Sequence, residues 1–279
     1  MSETSAADVT TFGVREFARA GGPLDAALES ISIRGYTIVP NVLDPAELDR
    51  ARAGLDRIYQ VQIEECGGED RLRLINDLYT VRAPLAYDDF FLDVATKPEV
   101  LTIVQAILGE YVCLMLQNGV INVPRTGREQ NAGDWHRDLN YQHFVSSRPL
   151  SISALFCVDP FSAETGGTVM LPHSHRAEAF PSAAYVTANA EQVEAPAGSA
   201  IVFDSMLFHR GGLNRSQAPR RAINHMYTIP LLKPQISFPK VFGDRFGDDP
   251  FLRRFLGYET EPAGSAYEFR AVRIGRLKA

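Results

Sequence analysis

Residues 151–172 read Ser151-Ile152-Ser153-Ala154-Leu155-Phe156-Cys157-Val158-Asp159-Pro160-Phe161-Ser162-Ala163-Glu164-Thr165-Gly166-Gly167-Thr168-Val169-Met170-Leu171-Pro172. Ser151–Val158 is a short apolar run, and Asp159-Pro160 stops it. Thr168–Leu171 is another, set between Gly166-Gly167 and Pro172. Short apolar runs bounded by Gly, Pro and Asp read as buried strands joined by turns. The pattern extends in both directions. Upstream lie Tyr111–Asn122 and Asp134–Asp138; downstream lie Ala200–Phe203, Leu207–Arg210 and Arg221–Ile229. Pro124, Ala195-Pro196-Ala197-Gly198 and Gly211-Gly212 punctuate them. Many short strands spaced this way predict a mainly β fold with flanking helices, a double-sheet jelly roll of the cupin kind.

The residues before this region read differently. Asp44 is placed to cap a helix that has Pro45 at its first position and runs to about Tyr59, with Leu48, Ala51, Leu55 and Ile58 on one face. Lys97-Pro98-Glu99 opens a second helix, with Val100, Ile103, Val104 and Ile107-Leu108 at helical spacing and Gly109 at its end. Gly35–Pro40 reads as a short strand. One domain is expected across 1–279: a mainly helical layer over 1–110, a jelly-roll core over 111–232, and a C-terminal wrap over 233–279.

Trp135-His136-Arg137-Asp138 carries the chemistry. On an extended strand, positions i and i+2 share a face, so His136 and Asp138 can grip one metal while Arg137 points away. Phe208-His209 offers a second histidine on another strand. Two histidines and one carboxylate form the facial triad that holds non-haem Fe(II) and leaves positions open. Arg220 follows His209 by 220 − 209 = 11 residues, across a turn rich in Gly, Asn and Pro. A hairpin there would return Arg220 to His209. A guanidinium fork near a metal suits the far end of a dicarboxylate.

Over residues 112 to 230 this pattern resembles the phytanoyl-CoA dioxygenase family of Fe(II)/2-oxoglutarate oxygenases. The resemblance rests on His136-Arg137-Asp138, on Gly166–His175, and on His209 through Arg220. It implies Fe(II), 2-oxoglutarate and O2 as cofactor and cosubstrates, with ascorbate supporting activity. His136, Asp138 and His209 would be the ligands, and the family spacing selects Arg220 over Arg221 for the distal carboxylate. The family places polar groups for the cosubstrate on the first barrel strand; Gln117 and Asn122 are the candidates here. Their opposite parity requires a bulge, with Gly119 the candidate position. Thr168 can add a hydroxyl. Several family members carry a serine two residues after the distal histidine; Gly211 stands there in this chain. An intact Asp138 disfavours halogenation, because related halogenases bind halide in its place.

Asn140, Tyr141 and Arg148, on the loop after the first ligands, and Arg82, before the barrel, are the candidate substrate contacts. Their polarity points to a small polar metabolite. The stretch 66–82 and the loop 140–148 are the candidate covers of the pocket. The expected reaction is hydroxylation of a C–H bond with decarboxylation of 2-oxoglutarate to succinate. The alternative is a non-oxidative cupin-type metal enzyme or a metal-bearing binding protein, which has no use for Arg220.

Composition fits this reading. The 279 residues are 45% hydrophobic with net charge −6, which argues against nucleic acid as a partner. The three cysteines, Cys66, Cys113 and Cys157, show neither a disulfide framework nor a zinc spacing. Residues 1–12 lack the basic and apolar regions of a signal peptide, and no apolar run reaches membrane-spanning length. The expected location is the cytoplasm, with a small-molecule substrate as partner.

Overall fold

A computed structural model of the protein describes residues 10–19, 21–125, 133–139, 144–246 and 248–276. Its described strands are β1 (Tyr36–Val39), β2 (Thr80–Arg82), β3 (Cys113–Asn122), β4 (Ser151–Cys157), β5 (Val169–Met170), β6 (Glu191–Gln192), β7 (Ala200–Asp204), β8 (His209–Arg210) and β9 (Arg220–Thr228). The helices that cover them include α1 (Pro23–Arg34), α2 (Pro45–Cys66), α3 (Glu69–Leu74), α4 (Phe90–Ala95) and α5 (Pro98–Leu108). Later come α6 (Ala183–Asn189), α7 (Phe238–Phe242), α8 (Pro250–Phe255) and α9 (Ala266–Arg276).

The strands form two antiparallel sheets. The large one runs β1-β7-β4-β9-β3-β2, and the small one runs β6-β5-β8. The jelly roll expected from the punctuated strands is therefore present. Two strands of the large sheet come from the mainly helical segment and supply its two edges: β1, the strand expected at Gly35–Pro40, and β2, which was not expected.

Strand parity sorts the core. On the central strands, Ala154, Phe156, Val202, Ala200, Ile223 and Tyr227 face outward and pack with the helices, joining Leu55, Ile58 and Phe91. Their neighbours Leu155, Cys157, Ile201, Phe203 and Ala222 face inward, against Met170 of the small sheet and Phe161, Val193 and Leu207 of the segments around it. Both faces of β4 are buried, as its sequence of apolar and small residues requires. Each of the fully buried large side chains contributes roughly 1.5–3 kcal/mol by leaving water.

Helix α2 starts as expected. The Asp44 side chain accepts from Glu47 N (2.9 Å), and Glu47 returns the bond to Asp44 N (3.1 Å). It runs on past Tyr59 to Cys66, where Gly67, in the left-handed region, ends it. Helix α5 stops at Gly109 as the sequence predicts.

Two expectations need correction. Asp134–Asp138 is not a regular strand. It touches β8 through one isolated bridge, in which His136 N donates to His209 O (2.9 Å) and His209 N donates to His136 O (3.0 Å). The reason is local: Asp138 and Leu139 turn away at once, and both of their amides donate to Ser205 O. Nor does a hairpin return Arg220 to His209. β8 belongs to the small sheet and β9 to the large one, so residues 211–219 cross between sheets. Glycine makes that crossing possible. A Cβ on Gly212 would lie 2.2 Å from Gly167 O, so the two Gly-Gly pairs must pack backbone to backbone.

Candidate metal centre

The bridge puts His136 and His209 side by side, with ring centroids 4.3 Å apart. Asp138 closes the group. Its Oδ1 lies 3.8 Å from His136 Nε2 and 3.5 Å from His209 Nε2. One ligand atom from each of the three residues lies within 4.8 Å of the others. The backbone sets each ring. His136 Nδ1 bonds Asp134 O (2.9 Å) and His209 Nδ1 bonds Leu207 O (3.0 Å). With Nδ1 donating its proton to a carbonyl, each ring turns a bare Nε2 toward Asp138, the state a metal needs. The donor set of two imidazoles and one carboxylate fits a divalent transition metal.

Electrostatics treat the two rings differently while no metal is bound. Burial lowers the pKa of His136, and the neighbouring His209 lowers it further, which keeps the ring neutral. Burial also opposes charge on His209, but Asp138 outweighs it and raises that pKa. Burial pushes the Asp138 carboxyl up, yet His209, His136 and the Ser153 hydroxyl hold it well below the usual carboxylate range. The carboxylate is ionised at neutral pH.

The other histidines are elsewhere. His225 lies on the outer face of β9, bonded to Gln117 (2.8 Å), and burial pushes its pKa down to about 3. His173 and His175 sit in a tight turn beside Arg34 and Ser32. His143 lies outside the described residues.

Arg220 faces inward and Arg221 outward. Arg220 is buried, with its guanidinium 4.0 Å above the Phe161 ring, and its Nε has no hydrogen-bond partner among the described residues. Burial pushes its pKa down to about 10, with Cys157 and Asp159 opposing. A buried cation with an unused donor suits an anionic ligand. Arg221 is tied to Asp56 (2.7 Å) and Asp159 (3.2 Å) at the surface of α2.

On β3 the expectation divides. The register pairs Asn122 with Arg220 and Asn118 with Asn224, all on the inner face. Asn122 Nδ2 donates to Gly212 O (3.0 Å) and so pins the crossing. Gln117 is a correction: it faces the helices. Its amide accepts from Leu85 N (2.7 Å) and donates to Phe91 O (2.8 Å). The strand does bulge, but between Leu114 and Leu116 rather than at Gly119, so Gln117 and Asn122 stay on opposite faces. Gly119 serves packing instead, because a Cβ there would lie 2.4 Å from Leu55.

Thr168 is buried at the entry to β5. Arg82 sits opposite Asn118 on the sheet edge and pairs with Asp77. Arg148 is exposed. Asn140 and Tyr141 lie outside the described residues. Arg137 points away from the metal group, as expected from parity. It stacks 3.8 Å over Phe208 and donates to Met206 O (2.6 Å) and Ser174 O (3.1 Å), clamping the turn after Pro172.

Three residues escaped the sequence reading. Ser153 Oγ donates to Asp138 Oδ2 (2.6 Å), Asn224 Nδ2 donates to the same oxygen (3.3 Å), and Ser205 Oγ lies 2.8 Å from Ser153 Oγ. The one available signal was two serines alternating inside an otherwise apolar buried strand.

The phytanoyl-CoA dioxygenase (PhyH) family profile matches residues 33–222, more than half of the chain. The chain belongs to the phytanoyl-CoA dioxygenase family. With that family it is an iron- and 2-oxoglutarate-dependent dioxygenase. An uncharacterized protein of Mycobacterium tuberculosis (strain H37Rv) is 38% identical over 229 residues, covering 79% of this chain and 81% of that one. Dioxygenase af480 of Aspergillus fumigatus is 26% identical over 225 residues, covering 76% and 69%. Among solved structures, the epimerase SnoN in complex with Fe3+, alpha-ketoglutarate and nogalamycin RO superposes with TM-score 0.59 at 18% identity, covering 77% of this chain and 88% of that one. That likeness places this phytanoyl-CoA dioxygenase family member in the jelly-roll fold. Among the described residues, no helix is long and apolar enough to cross a membrane.

Proposed function

We propose that the chain hydroxylates a C–H bond of a small metabolite, with His136, Asp138 and His209 as the iron ligands. Arg220 binds the distal carboxylate of 2-oxoglutarate. The observation that carries this reading is the shared inner face. β9 presents Arg220, then small Ala222, then Asn224, whose amide touches Asp138. A dicarboxylate can therefore run along that face from the guanidinium to the metal group, over a wall with no bulky side chain. The unpartnered Arg220 Nε supports the same assignment. A non-oxidative metal enzyme gives no reason to bury that cation.

When bound, the metal and 2-oxoglutarate supply oxygen activation, with the cosubstrate losing CO2 to become succinate. The chain supplies orientation and shelter. The Nδ1 bonds fix both imidazole planes, Asp138 stays ionised, and Phe203 stacks edge-on against His209 at 4.9 Å. Beyond Asn224 the inner face turns apolar: Met226 packs with Leu139 and Met206, and Met115, Leu116 and Leu150 join from the side. Such a wall excludes water and accommodates an aliphatic part of a substrate. Polar groups of that metabolite would meet the rim, where Arg82 and Asn118 lie; Asn118, with its amide set to satisfy both neighbours, accepts from Arg82 Nη1 at 2.9 Å. The test is succinate release from 2-oxoglutarate with added Fe(II) and ascorbate. The activity should vanish in His136→Ala, Asp138→Ala and His209→Ala while the fold survives. Full turnover in any one of them would remove that residue from the site.

A further inference from the structure

The two oxygens of Asp138 have different surroundings. Oδ1 faces the imidazoles, 3.5 Å from His209 Nε2 and 3.8 Å from His136 Nε2. Oδ2 faces the large sheet, where it accepts from Ser153 Oγ (2.6 Å) and Asn224 Nδ2 (3.3 Å). The strand register produces this split. Leu155 is the residue of β4 that pairs with Asn224, and Ser153 lies two positions from it on the same inner face. Both donors thus converge on one oxygen.

Each donor is itself constrained. Behind Ser153 stands Ser205 Oγ (2.8 Å), then Ser151 Oγ (2.8 Å), and the run ends on Tyr227 O (2.8 Å). All three serines are fully buried. Asn224 spends its amide differently. Its Oδ1 is buried and has no hydrogen-bond partner among the described residues. An unsatisfied buried carbonyl costs stability, so a leucine would pack there at less cost. The bond that this amide does make goes to Asp138.

We infer that Ser153 and Asn224 are positioning residues that hold Asp138 as a one-oxygen metal ligand. By occupying Oδ2 they keep the carboxylate from closing over the metal with both oxygens. A position that a second carboxylate oxygen would fill is left for cosubstrate or oxygen. The inference rests on the triad being the metal site.

Cobalt(II) is the probe, with affinity read by calorimetry and geometry by its visible absorption. Ser153→Ala and Asn224→Leu should each weaken Co(II) binding roughly 10–100-fold, the usual effect of losing a ligand's hydrogen-bond partner. Each should also change the Co(II) spectrum, which reports ligand number. Ser153→Thr keeps the hydroxyl and should restore both readouts. Ser199→Ala, at another buried serine whose Oγ has no partner, should alter neither. Circular dichroism confirms that each variant is folded; where Asn224→Leu does not fold, Asn224→Ala is read instead. Wild-type affinity and spectrum in the folded Ser153 and Asn224 variants would overturn the inference and leave the triad standing. Failure of the wild type to bind Co(II), or equal binding by His209→Ala, would overturn the triad and the inference with it.

Discussion

Arg220 and Arg221 are adjacent in sequence and face opposite sides of β9. Arg220 lies buried over Phe161, while Arg221 is held by Asp56 and Asp159. Removing a bidentate partner from a buried carboxylate costs roughly 2–5 kcal/mol. Arg220→Ala should therefore weaken 2-oxoglutarate binding by about one and a half to three and a half orders of magnitude, measured by calorimetry on the metal-loaded protein. Arg221→Ala should leave that affinity near wild type and lower stability modestly. Equal effects on binding would mean that the wrong arginine faces the cosubstrate. Asp204 gives a second test. Burial raises its carboxyl pKa to about 6, against the Met206 amide and the Arg176 and Arg137 charges, which lower it. An unfolded aspartate titrates near 3.9. With the folded value the higher one, the native state binds the extra proton. Stability from this group is full below about pH 4, is lost as pH rises toward 6, and stays lost above. A shift of about two units corresponds to about 3 kcal/mol. Asp204→Asn keeps an acceptor for the Met206 amide, so it should be more stable than wild type at pH 7.5 and lose that advantage by pH 4. Parallel urea curves at both pH values would refute the buried-carboxyl account. Among the candidate site residues, the gathering of His136, Asp138 and His209 and the inward facing of Arg220 were legible in the spacing; that they bind metal and cosubstrate is the proposal. Gln117 was misread because one bulge, at Leu114/Leu116, sets the parity of everything after it. Ser153 and Asn224 were invisible because their partner, Asp138, is distant in sequence.

Elements were legible where local rules dominate. The Asp44 cap, the Gly109 stop and β3, β4, β7 and β9 lie where propensity and punctuation put them. The strand expected at 134–138 shrinks to one bridge, and the expected hairpin at 211–219 is a crossing between sheets. Both errors concern which element pairs with which, and periodicity within one segment carries no such information. The crossing makes its own prediction. A methyl on Gly212 would fall 2.2 Å from Gly167 O and 2.7 Å from Gly166 C, which are backbone atoms and cannot rotate away. Gly212→Ala should cost about 1–3 kcal/mol, as overpacking does. It should also weaken 2-oxoglutarate binding more than Co(II) binding, because Arg220 lies beyond the crossing while the three proposed ligands precede it. A variant with wild-type stability and unchanged affinities would show that the two Gly-Gly pairs are not in close contact.

At the scale of the molecule, the triad joins the two sheets. His209 is on β8 of the small sheet, and His136 is bridged to it. Asp138 is bonded through Oδ2 to Ser153 on β4 and Asn224 on β9, both in the large sheet. A metal held by all three therefore ties one sheet to the other at the mouth of the roll. Any ligand that binds only the native state stabilises it by mass action, about 2.7 kcal/mol at one hundred times its dissociation constant. For a chain of this size that corresponds to roughly 5–10 °C in melting temperature. Chelation should remove the gain, and His209→Ala should abolish it. The pattern of protection should be local as well as global. The small sheet has few strand residues and its ladders are short, so it is the part most open to local unfolding. Amide exchange at Val169–Met170 and His209–Arg210 should slow on metal binding far more than exchange at β4 or β7, which are already enclosed on both faces. Uniform slowing across both sheets would mean that the metal acts on global stability alone and does not fasten the small sheet to the large one.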